Sequence, residues 1–198
     1  MTDFFDVVGR QRACRAFSNR PVPDEDLERI LTAATFAPSA ENKQPWEFIV
    51  VRDANARATI GDLMRTAWET RGRAFSTDRL SPGLLADVDA GATGGIAAAS
   101  VHIVVCADTE RALEATIPSS IFPAVQNLLL AATAVGLGSA LTTIAVGYRN
   151  ELSQLLDLPS HVVPIAIVPI GHAARPLGPP GREPFATHAH RDRYGAPW

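Results

Sequence analysis

The chain is expected to fold as one α+β domain, with a central mixed β-sheet and flanking helices. Three observations predict this. Amphipathic helical periodicity at 24–36 and from Asp53 to about residue 71 brackets a short apolar run at 46–51. Two more continuous apolar runs, 101–107 and 162–170, have the length and β-branched content of buried strands. Between them, 119–135 is apolar nearly all round, as expected of a helix buried on most sides. The 198 residues suffice for a single domain with a real core, and 46% apolar against 20% charged residues fits a globular chain.

Composition narrows the function. A net charge of -3 gives no reason to expect nucleic-acid binding. The 2 cysteines, Cys14 and Cys106, suggest neither a disulfide framework nor a metal site, so a reduced, cytoplasmic setting is expected. MTDFFDVVGRQR lacks the basic start and long apolar run of a signal peptide, and no apolar run free of charges or helix breakers is long enough to span a membrane. Lys43 is the only lysine among 18 basic residues, so arginine richness alone does not mark an anion site.

Taken in order, residues 3–9 form a short helix expected to turn Phe4, Phe5, Val7 and Val8 inward. Arg10, Arg12 and Arg15 follow within six residues. Arginine forks match phosphate oxygens, although a solvated basic turn would read the same way. In 24–36, Leu27, Ile30, Leu31 and Ala34 share one face, and Asp24, Glu25 and Asp26 sit where the helix dipole favours negative charge. The loop after it, APSAENKQP, has two prolines and the hydroxyl and amide groups of Ser39, Asn42 and Gln44, which can both donate and accept. The strand 46–51 that follows is expected to be covered on both faces, with Trp46 as a core anchor. Asp53 can cap the next helix, which buries Ile60, Leu63, Met64, Ala67 and Trp68.

Residues 72–96 lose the pattern and read as a lid or mobile region. Arg71, Arg73, Phe75 and Arg79 are candidates to face a substrate there. His102 and Cys106, on the second strand, read as core residues. Ser119 or Ser120 can cap the apolar helix and Gly136 can end it; burying so apolar a helix suggests a second subunit. Gly136-Leu137-Gly138-Ser139 is neither a dinucleotide fingerprint nor a nucleophile elbow. Residues 150–158 form a short helix. Pro164 and Pro169 point to an edge position for the last strand, or to ends of pairing. The tail, 172–198, is rich in Pro, Gly, Arg and His and cannot bury a core alone; His172, His188 and His190 do not match a zinc pattern.

Pro38-Ser39-x-x-Asn42-x-Gln44-Pro45-Trp46 before an apolar strand resembles the signature of the nitroreductase family of FMN-dependent oxidoreductases. Three further segments fall where that family has its own, so the resemblance covers nearly the whole chain. It implies a nitroreductase-like sheet with a C-terminal extension exchanged between the subunits of a homodimer, and FMN at the interface. In the segment resembling Arg-Arg-Ser-x-Arg, which holds the ribityl phosphate, the matching positions are Gln11, Arg12, Ala13 and Arg15. Gln11 and Ala13 depart from the pattern, removing one charge and one hydroxyl, with Arg10 as a substitute or Arg182 carrying more of the load. The loop positions Pro38, Ser39, Ala40 and Asn42 would contact FMN. Leu141, Thr142 and Thr143 would lie by flavin N5 and the pyrimidine ring. Gly181-Arg182-Glu183-Pro184 resembles the tail motif whose arginine, here Arg182, reaches the phosphate. Ile170-Gly171-His172-Ala173 departs from the family's Ile-Gly-Tyr-Pro.

The resemblance implies hydride transfer from NADH or NADPH through flavin N5 to a nitroaromatic, quinone or similar electron-poor ring. No side-chain nucleophile or general base is then required, because the cofactor carries the chemistry. A related flavin chemistry, such as dehalogenation or flavin cleavage, and a flavin-sequestering role remain alternatives.

Overall fold

The computed structural model describes residues 3–198. Four strands, β1 (Trp46–Val51), β2 (Val101–Asp108), β3 (Gly138–Ser139) and β4 (Val162–Gly171), form one sheet in the order β1-β2-β4-β3. All neighbouring strands pair antiparallel; the parallel contribution is an isolated bridge between Ala13 and Ser139.

The sheet is the middle of three layers, and strand alternation builds both faces. Val101, Ile103, Val105 and Ala107 of β2 join a core with α2 (Asp24–Thr35) and α6 (Ile117–Ala134). Val104 and Cys106, the alternate residues, join a second core with α3 (Ala54–Ala67) and α7 (Arg149–Leu155). Burial on both faces explains why β2 reads as a continuous apolar run. β1 shares this alternation but lies at the edge, so only Trp46 and Val51 are buried and Val50 is exposed. The expectation of a strand covered throughout is corrected accordingly.

β4 is not an edge strand, which corrects the reading of its prolines. It lies between β2 and β3. Val105 pairs with Ala166 and Cys106 with Pro164, leaving Ile165 as the extra residue of a bulge. Pro164 sits at that bulge, where a missing donor is tolerated. Pro169 falls between the β3 pairing at 170–171 and the Thr142–Ile167 bridge. The bulge also shifts side-chain parity: Val163 and Ile165 pack on the α2/α6 core before it, and Val168 and Ile170 after it.

The helices follow local signals with three corrections. Asp53 caps α3 by accepting from the Ala56 N–H at 2.8 Å. Gly136, with φ of 82°, closes α6 in the left-handed conformation that favours glycine. α6 begins before the predicted serine caps, and Ser120 instead donates to the Thr116 carbonyl at 3.0 Å. α1 (Phe4–Arg10) buries only Val7, leaving Phe4, Phe5 and Val8 exposed beside α6. The patternless 72–96 is largely helical: α4 (Arg73–Thr77) and α5 (Pro82–Ala90) are separated by a short turn and flanked by two wide turns, Trp68–Gly72 and Gly91–Gly95. By length and composition Glu114–Ala134 would suit a membrane, yet in the fold Ile117, Ile121, Ala124, Val125, Leu128, Leu129 and Ala132 are buried in the core on one face of the sheet.

Candidate functional site

The loop after α2 is held in a costly conformation. Glu41, Asn42 and Gln44 all adopt positive φ, at 52°, 55° and 49°. Side chains other than glycine enter that region at roughly 1–3 kcal/mol each, and such residues gather at ligand clamps. Local hydrogen bonds hold the shape. The Ser39 hydroxyl accepts from the Gln44 N–H at 3.0 Å, and the Gln44 amide donates to Asn42 Oδ1 at 3.2 Å. The Ala40 N–H donates to Ser120 Oγ at 3.1 Å, which fixes the loop to the first turns of α6. Pro38 and Asn42 remain exposed.

The N-terminal loop is laced into the far end of the sheet. Cys14 N–H donates to the Ser139 carbonyl at 2.8 Å, Ser18 N–H to the His172 carbonyl at 2.9 Å, and Ala174 N–H to the Ala16 carbonyl at 3.0 Å. A Cβ at Gly138 would meet Cys14 Sγ at 2.8 Å, so this approach requires glycine. Gln11 ends α1 through its N–H on the Val7 carbonyl. Arg15 pairs with Asp87 of α5 at 2.7 Å, and Arg175 reaches the same carboxylate at 3.5 Å. Burial pushes the Cys14 thiol pKa up, so it is a packing residue here.

Beside this loop lies a cavity of about 530 Å³ lined by Arg10, Arg12, Arg20 and Arg175 around Gly136-Leu137-Gly138. Its lining contains no carboxylate. Arg10 is paired with Asp6 at 2.8 Å, while Arg12 and Arg20 have no acidic partner among the described residues. Arg12 donates to the Gly178 carbonyl at 3.1 Å. The buried Ser139 hydroxyl, next along β3, has no hydrogen-bond partner among the described residues. This donor set suits an anion.

Leu141, Thr142 and Thr143 leave β3 at the same end of the sheet. Thr142 is buried and exchanges both backbone hydrogen bonds with Ile167 at 2.9 Å, while its hydroxyl accepts from the Ile144 N–H at 3.2 Å. Leu141 and Thr143 on either side are exposed. Arg182 is exposed on the tail, and its guanidinium donates only to the neighbouring Gly181 carbonyl at 2.8 Å.

The structure therefore brings Arg12–Cys14 together with 136–139, leaves Leu141–Thr143 further along on Ile167, and keeps Pro38–Asn42 apart from the arginines. The loop is tied to Ser120, whereas the arginine cavity includes Thr133 and Gly136 at the other end of α6. At 1.5 Å per residue these anchors lie roughly 20 Å apart along the helix axis. Sequence reasoning did not select Arg20, Arg175 or Asp87; the available signal for Asp87 was its place eight residues before the last glycine of GATGG. The histidines 172, 188 and 190 form no metal-like group among the described residues; the grouping that does is Asp108, Glu110 and His161, where Arg111 holds Asp108 at 3.0 Å.

The family model for "Nitroreductase family" matches residues 8–172. The chain belongs to the nitroreductase family. It is 33% identical over 181 residues to the "Putative NADH dehydrogenase/NAD(P)H nitroreductase" of Archaeoglobus fulgidus, covering 87% of this chain and 86% of that one. It is 26% identical over 213 residues to the FMN reductase [NAD(P)H] of Bacillus subtilis, covering 98% and 75%. Iodotyrosine deiodinase 1 of Rattus norvegicus is 25% identical over 181 residues, covering 87% and 63%. In fold, the chain matches a crystal structure of a protein named as the first of these, from Parabacteroides distasonis, with a TM-score of 0.72 at 24% identity, covering 98% and 100%. Family and relatives together support an oxidoreductase, and the nitroreductase fold accounts for the α+β sheet described above.

Proposed function

We propose that this nitroreductase-family protein is an FMN-dependent oxidoreductase taking hydride from NADH or NADPH and reducing a nitroaromatic, quinone or similar electron-poor ring. The carboxylate-free arginine cavity beside Gly136–Gly138 carries this reading. Its donors fit a phosphate monoester: Arg12 has no acidic partner among the described residues, Arg10 and Arg175 stand beside it, the backbone at Ala13 follows on the loop, and the Ser139 hydroxyl lies next to Gly138 on β3. Bound FMN would supply the hydride chemistry, accepting from reduced nicotinamide and passing it on at N5.

The protein's part is to bind and orient. Arg15 is already neutralised by Asp87, so its role is to fix the loop, and Arg12 does the anchoring. Leu141 and Thr143 offer the surface that faces out, with Thr142 holding them on Ile167. Pro38, Ser39, Ala40 and Asn42 form a preshaped clamp that stands roughly 20 Å from the arginines in one chain. A second copy supplying its clamp and its Arg182 completes the site. The exposed Phe4, Phe5 and Val8 of α1 and Phe122 of α6 give such a homodimer apolar surface to cover.

The test is spectroscopic. Purified protein should show flavin absorption, bleach with NADH or NADPH without oxygen, and recover when a nitroaromatic or quinone is added. Absence of any flavin band after reconstitution with FMN would contradict the reading. The deiodinase relative supports a second reading, reductive dehalogenation on the same site. Reduced protein that releases halide from a halophenol and is not reoxidised by nitroaromatics would favour it.

A further inference from the structure

A second cavity, of about 640 Å³, lies between the wide turn Trp68–Gly72 with α4 and the turn Ile144–Tyr148. Its second wall begins one residue after Thr143, so it opens beside the stretch assigned above to the flavin. Trp68 forms a fixed wall. The ring is 3% exposed, and its Nε1–H donates to Asp89 Oδ1 at 2.9 Å, a carboxylate also held by Arg73 at 3.0 Å. A Cβ at Gly72 would come within 2.7 Å of Trp68 Cε3, so glycine lets the widened turn close over the ring. Wide helical turns of this kind are frequent at functional sites. Phe75 and Ile144 extend the apolar surface, and Arg79 stacks on the outer face of Phe75 at 4.4 Å.

The Thr70 hydroxyl in this cavity is spent on the Thr66 carbonyl at 2.7 Å, but three other polar side chains are not. Arg71, the one formally charged residue in the lining, makes no ion pair among the described residues. The hydroxyls of Tyr148 and Ser76 make no hydrogen bond among them either. A largely apolar pocket with a few convergent polar groups is the usual form of a small-molecule site. The charge is positive and fork-shaped, and it lines the same cavity as Phe75 and Trp68.

We propose that this cavity binds the acceptor and selects a flat aromatic ring bearing a carboxylate. The ring lies against Phe75 and Ile144, in a cavity whose wall the buried Trp68 stiffens, while Arg71 holds the carboxylate and the Tyr148 hydroxyl donates to it. The assignment deepens the flavin reading by naming the substrate class, and it rests on that reading for its place beside the cofactor. Arg71 is a specificity residue here, since it touches the substrate away from the reacting group.

The test titrates 4-nitrobenzoate and its neutral analogue 4-nitrobenzamide into the FMN-reconstituted protein by calorimetry, for wild type, Arg71→Gln and Tyr148→Phe. Wild type should bind the acid about tenfold or more tighter than the amide. Arg71→Gln should abolish that preference and leave amide binding unchanged; Tyr148→Phe should weaken the acid by a smaller factor. Equal binding of acid and amide by wild type, or a preference that survives Arg71→Gln, overturns the assignment. Bleaching by NAD(P)H is recorded on the same samples. Bleaching without the carboxylate preference sinks the pocket assignment alone; the preference without bleaching sinks the flavin reading, and the acceptor role with it, leaving only a carboxylate-binding cavity.

Discussion

The N-terminal loop and the C-terminal tail each bring arginine toward the same proposed phosphate, but the chain treats them differently. Residues 13–18 are held from three sides, by Ser139 of β3, by His172–Ala174 and by the Gly91–Gly95 turn against Arg15. The tail beyond Gly178 packs mainly on itself. Phe185 meets Trp198 edge-on at 5.9 Å, His190 meets Tyr194 at 4.7 Å, and all four remain exposed. One arginine position is thus built by intramolecular packing. The other is presented outward, as expected of an arm whose contacts belong to a second copy. On the proposed function, the difference means a site half prefolded in one chain and half deferred to assembly.

Perturbations of the packed side should cost stability, and those of the tail should not. Gly95→Ala should have the largest effect, because its Cβ would run into the Arg15 carbonyl oxygen, which is backbone and cannot swing away. A loss of about 3 kcal/mol or more is expected in urea unfolding, together with loss of FMN retention. A midpoint equal to wild type would show that the turn does not press on the loop.

His102 sharpens the same contrast by pH. Its Nε2–H donates to the Ile96 carbonyl at 3.0 Å, pinning the end of that turn to β2, while Nδ1 has no partner. Burial lowers its pKa to about 4, from an ordinary value of 6.5. The unfolded chain therefore takes up the proton first as pH falls. The stabilisation is fully present above about pH 6.5 and is lost progressively toward pH 4, on the order of 2–3 kcal/mol. His102→Gln should flatten stability across that window; an unchanged slope would assign it to other groups.

Asp87→Asn frees Arg15 and Arg175 and should cost about 1 kcal/mol, because the Asp87–Arg15 pair is only partly shielded. Arg182→Ala should leave stability within about 0.5 kcal/mol while weakening FMN binding about tenfold. Unchanged FMN affinity would remove the tail arginine from the site.

Much of the fold was legible because period and punctuation agree with burial. The α2 stripe, the Asp53 cap, the Gly136 stop and the strand β2 all appear where local chemistry places them. The misses share a cause. β1 at the edge and β4 in the middle depend on strand order, which no local pattern encodes. Phe4 and Phe5 look buried by composition, yet α1 turns only Val7 inward and leaves both rings exposed. The 72–96 helices are short, and the glycines and Asp87 that dock them on Arg15 do not form an apolar stripe. For the site, the residue types were readable at Arg12 and Asn42. Their roughly 20 Å separation along α6 was not, because it is a property of tertiary placement.

The central claim is that the carboxylate-free arginine cavity anchors the FMN phosphate. The most direct measurement is an FMN titration, followed by flavin fluorescence quenching, of wild type and Arg12→Ala. The account predicts binding weakened about tenfold to a hundredfold in the variant, with its urea midpoint unchanged. Equal FMN affinity in the two proteins would contradict it.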